Sequence, residues 1–206
     1  MCGRYALQQD GAELAKLLDL ANVPDWRGGD AEIFPGENVP ALRAEEKNAD
    51  DNPWRAENFR WGLRPSWATE KSRGQINARL ETLAERPFFR DALRRRRCLV
   101  PASAFFEWES VADDTRGAKA RKKKWRISPA DEPLFLFAAL WEPSPDGAGL
   151  AIVTCAAAGS LARIHHRSPL ILSRKSARDW LGGGGSAEVR AKLAAESPSE
   201  LRTAAL

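Results

Sequence analysis

The sequence has few of the residues that build metal centres, disulfide frameworks or membrane spans. Its 206 residues include three widely spaced cysteines, no Cys-x-x-Cys pair and two histidines that are adjacent. An odd number of scattered cysteines favours reduced thiols over a disulfide framework, and so few ligands leave little from which to build a zinc site. No stretch approaches the roughly 20 apolar residues that cross a bilayer. We therefore expect a protein with no metal, no cofactor and no membrane association.

The N-terminus lacks the apolar core of a secretory signal, because MCGRYALQQDGAEL leads directly into an acidic amphipathic segment. The chain is therefore expected to stay in the cytoplasm. Its hydrophobic (43%) and charged (29%) fractions are those of an ordinary globular protein. A length of 206 residues favours one sizeable domain over two small ones. We expect a single domain over residues 1–206, with a flexible polar loop at 110–120.

The positive charge of the chain is clustered, although the net charge is only +4. Arg94 to Arg97 form one basic run, and Arg121 to Lys124 with Arg126 form another. These runs have two interpretations: solvated loop and edge-strand charge, or attraction to phosphates. Eight tryptophans accompany them, and exposed aromatic rings are surfaces on which unstacked bases lie. The composition permits a nucleic-acid partner but does not establish one.

The apolar pattern predicts an α+β fold in which strands dominate and helices lie at the margins. Asp10 to Glu13 predict a capping box, followed by a helix with an apolar face of Leu14, Leu17 and Leu18. Pro87 is expected in the first turn of a short helix that ends before the first basic run. Further helices are predicted from Ser173 through Trp180 and over 187–195, and strands over 2–7, 38–43, 57–63, 98–109, 123–128, 134–142 and 150–157.

Cys2 is the position with the most distinctive chemistry. The initiator methionine is normally removed when the second residue is small, and its removal would leave an α-amine and a thiol on the same residue. The reference pKa of such an amine is about 7.7–8.0, so an appreciable fraction is nucleophilic near neutral pH. An aldehyde would form a Schiff base with the amine, and the thiol would then close a five-membered thiazolidine ring. The alternative is that Cys2 is an incidental small residue at the start of a strand.

Six short segments, taken together, resemble one protein family. They are MCGRYAL (1–7), WGLRPSW (61–67), INARLET (76–82), RCLVPASAFFEWE (97–109), FAALWE (137–142) and IHHRSPLILS (164–173). On these blocks the chain is identified as a member of the SOS response-associated peptidase (SRAP) family, the abasic-site-processing proteins. The resemblance implies a mixed β-sheet or open barrel with peripheral helices. It also implies covalent capture of abasic sites in single-stranded DNA, reversal of the crosslink, AP-lyase activity and possible autoproteolytic removal of Met1.

The resemblance implies four catalytic residues: Cys2, Asn77, Glu107 and His165. Cys2 is the nucleophile, and the amide of Asn77 positions the amine without competing for its proton. Glu107 shuttles protons, and strand alternation places it on the opposite face from Phe106 and Trp108. His165 donates a proton to the sugar oxygen as the deoxyribose ring opens, or polarises the aldehyde. Without the resemblance, a turn position for Asn77 and a half-exposed edge position for Glu107 are the more ordinary interpretations.

Six residues are candidate DNA contacts: Arg4, Arg79 and Arg167 for phosphates, and Pro35, Trp67 and Trp108 for stacking. The expected partner is single-stranded DNA with abasic sites, bound by a monomer that associates with the nucleoid at damage. His166 is expected at the surface, with its ring directed away from that of His165. Cys98 and Cys155 are expected to be buried structural thiols. Ser168 replaces the methionine that is commoner in the family, which is expected to change packing and leave the chemistry intact.

Two other functions fit the same residues. Cys2, Glu107 and His165 could supply the nucleophile and proton carriers of a cysteine peptidase. A non-catalytic DNA-binding module would need only the basic runs and the tryptophans.

Overall fold

The computed structural model describes residues 2–44, 54–68, 74–111, 120–144, 147–183, 186–195 and 200–206, and strands dominate these segments. The strands are β1 (Tyr5–Ala6), β2 (Asn38–Ala44), β3 (Trp54–Trp61), β4 (Asn77–Arg79), β5 (Arg97–Ala102), β6 (Ala104–Val111), β7 (Arg121–Pro129), β8 (Phe135–Ser144), β9 (Gly147–Ala156), β10 (Arg167–Pro169), β11 (Ile171–Leu172) and β12 (Leu201–Ala205). The helices are α1 (Gly11–Leu18), α2 (Arg90–Arg95), α3 (Leu161–Ile164), α4 (Arg174–Gly183) and α5 (Ala187–Ala195), with a 3-10 turn at Leu80–Thr82.

The strands form a small and a large sheet. The small sheet has the order β1-β6-β7-β12, and all its neighbours are antiparallel. The large sheet has the order β10-β9-β3-β2-β5-β8-β11, with β4 beside β9. It is mixed, because β9 is parallel to β3 and β4 but antiparallel to β8 and β10. The predicted strand-dominated α+β class is confirmed.

The chain passes from the large sheet to the small one at Ser103, between β5 and β6. The Ser103 backbone N–H donates to the carbonyl of Ala6 at 2.8 Å, and its hydroxyl oxygen accepts from the backbone N–H of Gln8 at 2.8 Å. One residue therefore ties the N-terminal strand to the crossing point of the two sheets.

An aromatic core behind this junction holds β1 in place. Tyr5, Trp61, Phe105 and Phe137 are all buried. The Tyr5 ring lies 5.2 Å from the Trp61 ring and 6.3 Å from the Phe137 ring, and Phe105 lies 6.0 Å from Phe137. Full burial of one such side chain contributes about 1.5–3 kcal/mol, so β1 is firmly anchored through Tyr5.

The structure confirms the N-terminal helix and shortens the strand before it. Both hydrogen bonds of the capping box are present, and Leu14 and Leu18 are buried while Leu17 is only partly so. The predicted strand over 2–7 is reduced to Tyr5–Ala6. It starts later because the Cys2 carbonyl bonds to the side chain of Asn77 instead of joining the ladder of β6.

The prediction that the helix after Pro87 ends before the first basic run is wrong. The backbone N–H groups of Phe89 and Arg90 both donate to the Arg86 carbonyl, so a turn precedes α2, and the helix extends through Arg95. Helix α2 extends into the basic run because the guanidinium of Arg97 caps its C-terminal end. This guanidinium donates a hydrogen bond to the Leu93 carbonyl at 2.6 Å.

The C-terminal helices follow the predictions closely. Helix α5 has the predicted bounds, and α4 begins after Ser173, whose hydroxyl oxygen accepts from the N–H of Ser176. Helix α4 extends beyond Trp180 to Gly183. Most of the predicted loop at 110–120 lies outside the described residues, as β6 ends at Val111 and the description resumes at residue 120. Among the helices of the described segments, none has the length and apolar character of a membrane span.

Candidate active site

Cys2 is buried at the junction of the two sheets, three residues before β1. Its carbonyl accepts a hydrogen bond from Nδ2 of Asn77 at 2.9 Å. Asn77 is the first residue of β4, where it lies opposite Ile152 of β9. The backbone of Cys2 is thereby fixed to the large sheet through one amide side chain. Asn77 lies in a strand, and the turn position that its residue type alone favours is wrong.

Glu107 lies on β6 and is 4% exposed. Its strand neighbour Phe105 belongs to the core, whereas Trp108 faces a cluster of cations on the other side of the sheet. This arrangement confirms the predicted alternation and excludes the half-exposed edge position. Burial, and to a smaller extent the Glu107 carboxylate, raises the pKa of the Cys2 thiol well above its ordinary value. The thiol therefore stays protonated near neutral pH.

His165 follows α3, which packs against β6. Its Nδ1 atom accepts a hydrogen bond from the backbone N–H of Arg167 at 3.0 Å, which fixes the orientation of the ring. Cys2 is thus bonded directly to Asn77, and the carboxylate of Glu107 acts on its thiol electrostatically. His165 is connected to them through the packing of α3 on the strand that carries Glu107.

The prediction that the rings of His165 and His166 diverge is wrong. They stack, with centroids 4.3 Å apart and an interplanar angle of 29°. The two residues lie in a bend between α3 and β10, so the alternation of a regular strand does not apply to them. His166 is exposed, as predicted. The interaction with His165 is the main cause that lowers the pKa of His166, and the charges of Arg167 and Arg79 contribute.

Arg79 and Arg167 differ in their contacts. Arg79 is exposed at the end of β4. Arg167 is 11% exposed and holds Glu81 with two hydrogen bonds, Nη1 to Oε1 at 2.7 Å and Nη2 to Oε2 at 2.9 Å. It also donates to the carbonyl of Thr154 at 2.7 Å. Its phosphate contact stays a prediction, and a phosphate there would compete with Glu81.

The predicted stacking residues have different surroundings. Trp108 lies under the guanidinium of Arg4, 4.9 Å from it. Trp67 is 65% exposed and makes an edge contact with Phe88 at 5.7 Å. Pro35 is exposed and lines a pocket of about 340 Å³.

The pocket beside Pro35 contains residues that the sequence analysis did not single out. Arg60 and Arg64 line it, and Ile76, the residue before Asn77, reaches it too. Glycines line part of this pocket, and one of them cannot be replaced without a clash: a Cβ atom at Gly149 would come within 2.7 Å of the Gly62 carbonyl oxygen. The basic residue within Trp-Gly-Leu-Arg-Pro was the signal that could have identified Arg64.

The other two cysteines differ in burial. Cys98 is buried as predicted, but Cys155 is only partly buried, so that prediction is wrong for Cys155. At this point β9 pairs with the short strand β10, with Ser168 opposite Cys155 and their Oγ and Sγ atoms 3.8 Å apart. The described segments contain no group of three or more His, Cys, Asp or Glu side chains that could hold a metal ion.

The fold and the site define a mixed-sheet α+β protein in which a buried cysteine at position 2 is bonded to an asparagine side chain and influenced electrostatically by a buried glutamate. The chain belongs to the SOS response associated peptidase (SRAP) family, which it matches over residues 1–205. The membership predicted from the six sequence blocks is therefore confirmed.

Several relatives and solved structures are similar to this chain. The abasic site processing protein YoqW of Bacillus subtilis is 34% identical over 189 residues, covering 88% of this chain and 80% of the relative. The abasic site processing protein YedK of Escherichia coli is 30% identical over 205 residues, covering 95% and 86%. The structure of a Bacteroides thetaiotaomicron protein superposes with a TM-score of 0.80 at 20% identity, covering 100% of this chain and 92% of the other. For a phage-related protein of Bordetella bronchiseptica the TM-score is 0.75 at 25% identity, covering 100% and 94%.

Proposed function

We propose that this protein processes abasic sites and captures them in single-stranded DNA as a thiazolidine on Cys2, after removal of Met1. The observation that carries the proposal is the buried position of Cys2, whose carbonyl is bonded to the amide of Asn77 and whose thiol pKa is raised in part by the carboxylate of Glu107. Relatives named abasic site processing proteins, at 30–34% identity over most of their length, support it.

The amine of Cys2 attacks first. The thiol is held protonated by burial, so thiolate attack on a carbonyl is disfavoured, whereas an α-amine of pKa about 7.7–8.0 is partly free at neutral pH. The amine nitrogen adds to the aldehyde carbon of the opened deoxyribose, and a water molecule leaves to give the imine. The sulfur then bonds to the same carbon, while the thiol proton passes to the imine nitrogen. Aldehyde and aminothiol thus give a thiazolidine and water.

The neighbouring side chains supply positioning and proton transfer. Nδ2 of Asn77 holds the Cys2 carbonyl, and its Oδ1 atom is buried with no hydrogen-bond partner among the described residues. That oxygen can accept an N–H of the processed amine. Glu107 carries the proton between sulfur and nitrogen in both directions, which also allows the crosslink to reverse. His165 protonates the ring oxygen of the sugar as it opens.

The imine also provides a route to strand cleavage. It draws electrons from the adjacent C2′ carbon, so that a base can remove a C2′ proton and the 3′ phosphate leaves by β-elimination. Arg4, Arg79 and Arg167 are proposed to hold phosphates near the lesion. Pro35, Trp67 and Trp108 are proposed to stack on bases that the bound strand exposes.

The test is incubation of the purified protein with a single-stranded oligonucleotide that contains one abasic site, followed by a denaturing gel. Intact mass first establishes whether Met1 is absent. We expect a band that survives denaturation, and its loss in Cys2→Ala and in a variant that keeps a residue before Cys2. The matched control is Cys98→Ala, which removes the other fully buried thiol and should crosslink normally. Full crosslinking by Cys2→Ala would refute the proposal.

The description of the family as peptidases favours one alternative, a cysteine peptidase with Cys2 as nucleophile. The protonated thiol argues against it, because the thiolate is the species that attacks a peptide bond. Turnover of an unrelated peptide by the processed protein, abolished in Cys2→Ala, would support the alternative.

A further inference from the structure

The second basic run is divided between the two faces of the small sheet. Strand β7 pairs with β6 so that Arg126 lies opposite Phe106 and Lys124 opposite Trp108. Because directly opposed residues share a face, these two cations accompany the two rings, and Lys122 joins them. Arg121 and Lys123 alternate with them and project from the opposite face.

The cations on the ring-bearing face lie over aromatic surfaces. The Lys124 ammonium is 4.7 Å from the Phe106 ring centre, and the Arg126 guanidinium is 5.7 Å from it. The Arg4 guanidinium lies 4.7 Å from the Phe34 ring and 4.9 Å from the Trp108 ring. Cation–π contacts of this kind fix the position of a charge while leaving it accessible to an anion.

The basic surface continues onto β12, where Arg202 lies opposite Ser128 and therefore on the same face as Arg126. Arg202 and Lys122 are both exposed. We name the row of Arg4, Lys122, Lys124, Arg126 and Arg202 the outer strip. It lies on the face of the small sheet opposite Glu107, and its Arg4 is two residues from Cys2 in the chain.

One carboxylate lies inside the outer strip. Glu32 bonds to Arg4 through Oε2 at 3.2 Å and to Lys124 through Oε1. The hydrogen bond from Lys124 is the main cause that lowers the Glu32 pKa, so the group is an anion at neutral pH. An anion held between two cations occupies the place that a phosphate would take.

We propose that the outer strip binds the backbone of single-stranded DNA that extends from the reacting nucleotide, and that a phosphate displaces Glu32 from Arg4 and Lys124. The inference deepens the proposed function and rests on it for the identity of the partner. Single-stranded DNA is favoured because the strip combines cations with ring surfaces, of which Phe34 is 43% exposed. A duplex keeps its bases stacked inside and offers nothing to those rings.

The test compares two double variants of β7 for non-covalent binding to a single-stranded oligonucleotide without a lesion. Lys122→Gln with Arg126→Gln removes two charges from the outer strip. Arg121→Gln with Lys123→Gln removes the same two residue types from the opposite face. Glutamine keeps much of the aliphatic stem over Phe106, so packing is largely preserved.

The expected effect follows from counterion release. Each phosphate contact on a single strand contributes about 0.7 to the slope of log K against log salt, so the strip variant should have a slope shallower by about 1.4. This corresponds to a loss of affinity of about 25-fold at about 0.1 M salt relative to about 1 M. The opposite-face variant should keep both the affinity and the slope. An equal loss in both variants, a loss only in the opposite-face variant, or no binding by the unmodified protein overturns the proposal.

Glu32→Gln tests the displacement. It removes the competing anion, so affinity for the same oligonucleotide should rise about two- to fivefold, the contribution of a surface ion pair. Unchanged or weaker binding overturns this part, provided that thermal unfolding shows an intact fold. Crosslinking of the unmodified protein to the abasic oligonucleotide is measured separately, at low salt with saturating DNA. If the unmodified protein forms no crosslink while the strip variant shows the predicted loss of affinity, the chemistry on Cys2 is refuted and the outer strip remains supported.

Discussion

Replacing Asn77 by aspartate isolates the contact that joins Cys2 to the large sheet. Aspartate has nearly the same shape and keeps an acceptor oxygen, but it lacks the Nδ2 donor that reaches the Cys2 carbonyl at 2.9 Å. The carbonyl would then face a carboxylate oxygen, in a site that already contains Glu107. We expect Asn77→Asp to fold and to form the adduct slowly.

The size of the effect follows from the lost hydrogen bond. A buried carbonyl that loses its donor costs about 1–3 kcal/mol. If the same contact positions the amine as it attacks the aldehyde, that energy raises the barrier to adduct formation. The rate constant should then fall about 5- to 150-fold, since about 1.4 kcal/mol corresponds to a tenfold change.

The assay is the initial rate of formation of the denaturation-resistant band, with urea unfolding measured in parallel. The control is Asn22→Asp, because Asn22 Nδ2 donates to the carbonyl of Ala56 at the same 2.9 Å. Asn22 also accepts from the Ala56 N–H at 3.0 Å, a bond that aspartate keeps. Both variants should lose stability, and only Asn77→Asp should lose rate. A normal rate in Asn77→Asp, or an equal slowing in Asn22→Asp, would show that Asn77 does not position Cys2.

Two further predictions concern stability. Arg97 donates to four backbone carbonyls, those of Trp180 (2.7 Å), Leu93 (2.6 Å), Arg94 (2.8 Å) and Leu181 (3.0 Å), which join the ends of α2 and α4. A single ammonium cannot span both helix ends, so Arg97→Lys should lower the free energy of unfolding, measured in urea, by about 2–4 kcal/mol. The control is Arg94→Lys at an exposed position, which should change that free energy by less than about 0.5 kcal/mol. Equal effects of the two substitutions would contradict the capping role. Burial is the first cause that raises the pKa of the Cys2 and Cys98 thiols above 9.0, so the folded chain keeps protons that the unfolded chain releases. The free energy of unfolding should therefore be retained below about pH 9 and fall above it. Cys98→Ala should make that fall shallower by up to about 1.4 kcal/mol per pH unit. If the dependence of the unfolding free energy on pH is unchanged in this variant between about pH 8 and pH 9.5, the Cys98 thiol is not the group that titrates.

Local patterns predicted the elements that depend on a few neighbouring residues. The capping box at Asp10 and the bounds of α5 follow from side chains within a helical turn. The face of Glu107 follows from strand alternation alone. These features need no information about the rest of the chain.

The arrangement of the strands could not be predicted in this way. Strand β4 has only three residues, too few for a period, and its parallel pairing with β9 joins residues 75 positions apart, Asn77 and Ile152. The hydrogen bond between Asn77 and Cys2 also spans 75 positions. For a basic run, likewise, the side of the sheet to which each cation points is unknown until the pairing of its strand with the neighbouring strand is known. Pairing with β6 sends Lys124 to one side and Lys123 to the other.

The burial of Cys2 explains how the proposed site would discriminate between carbonyl groups. A protonated, buried thiol is a weak nucleophile towards an amide or an ester, so its attack on a peptide bond is disfavoured. An aldehyde reacts first with the amine, and the resulting imine then lies on the same residue as the sulfur. Ring closure is intramolecular at that stage, where effective concentrations reach about 10⁵–10⁸ M, so even a poorly ionised thiol can add. The raised pKa that would disable a peptidase therefore suits an aminothiol that must react only with an aldehyde.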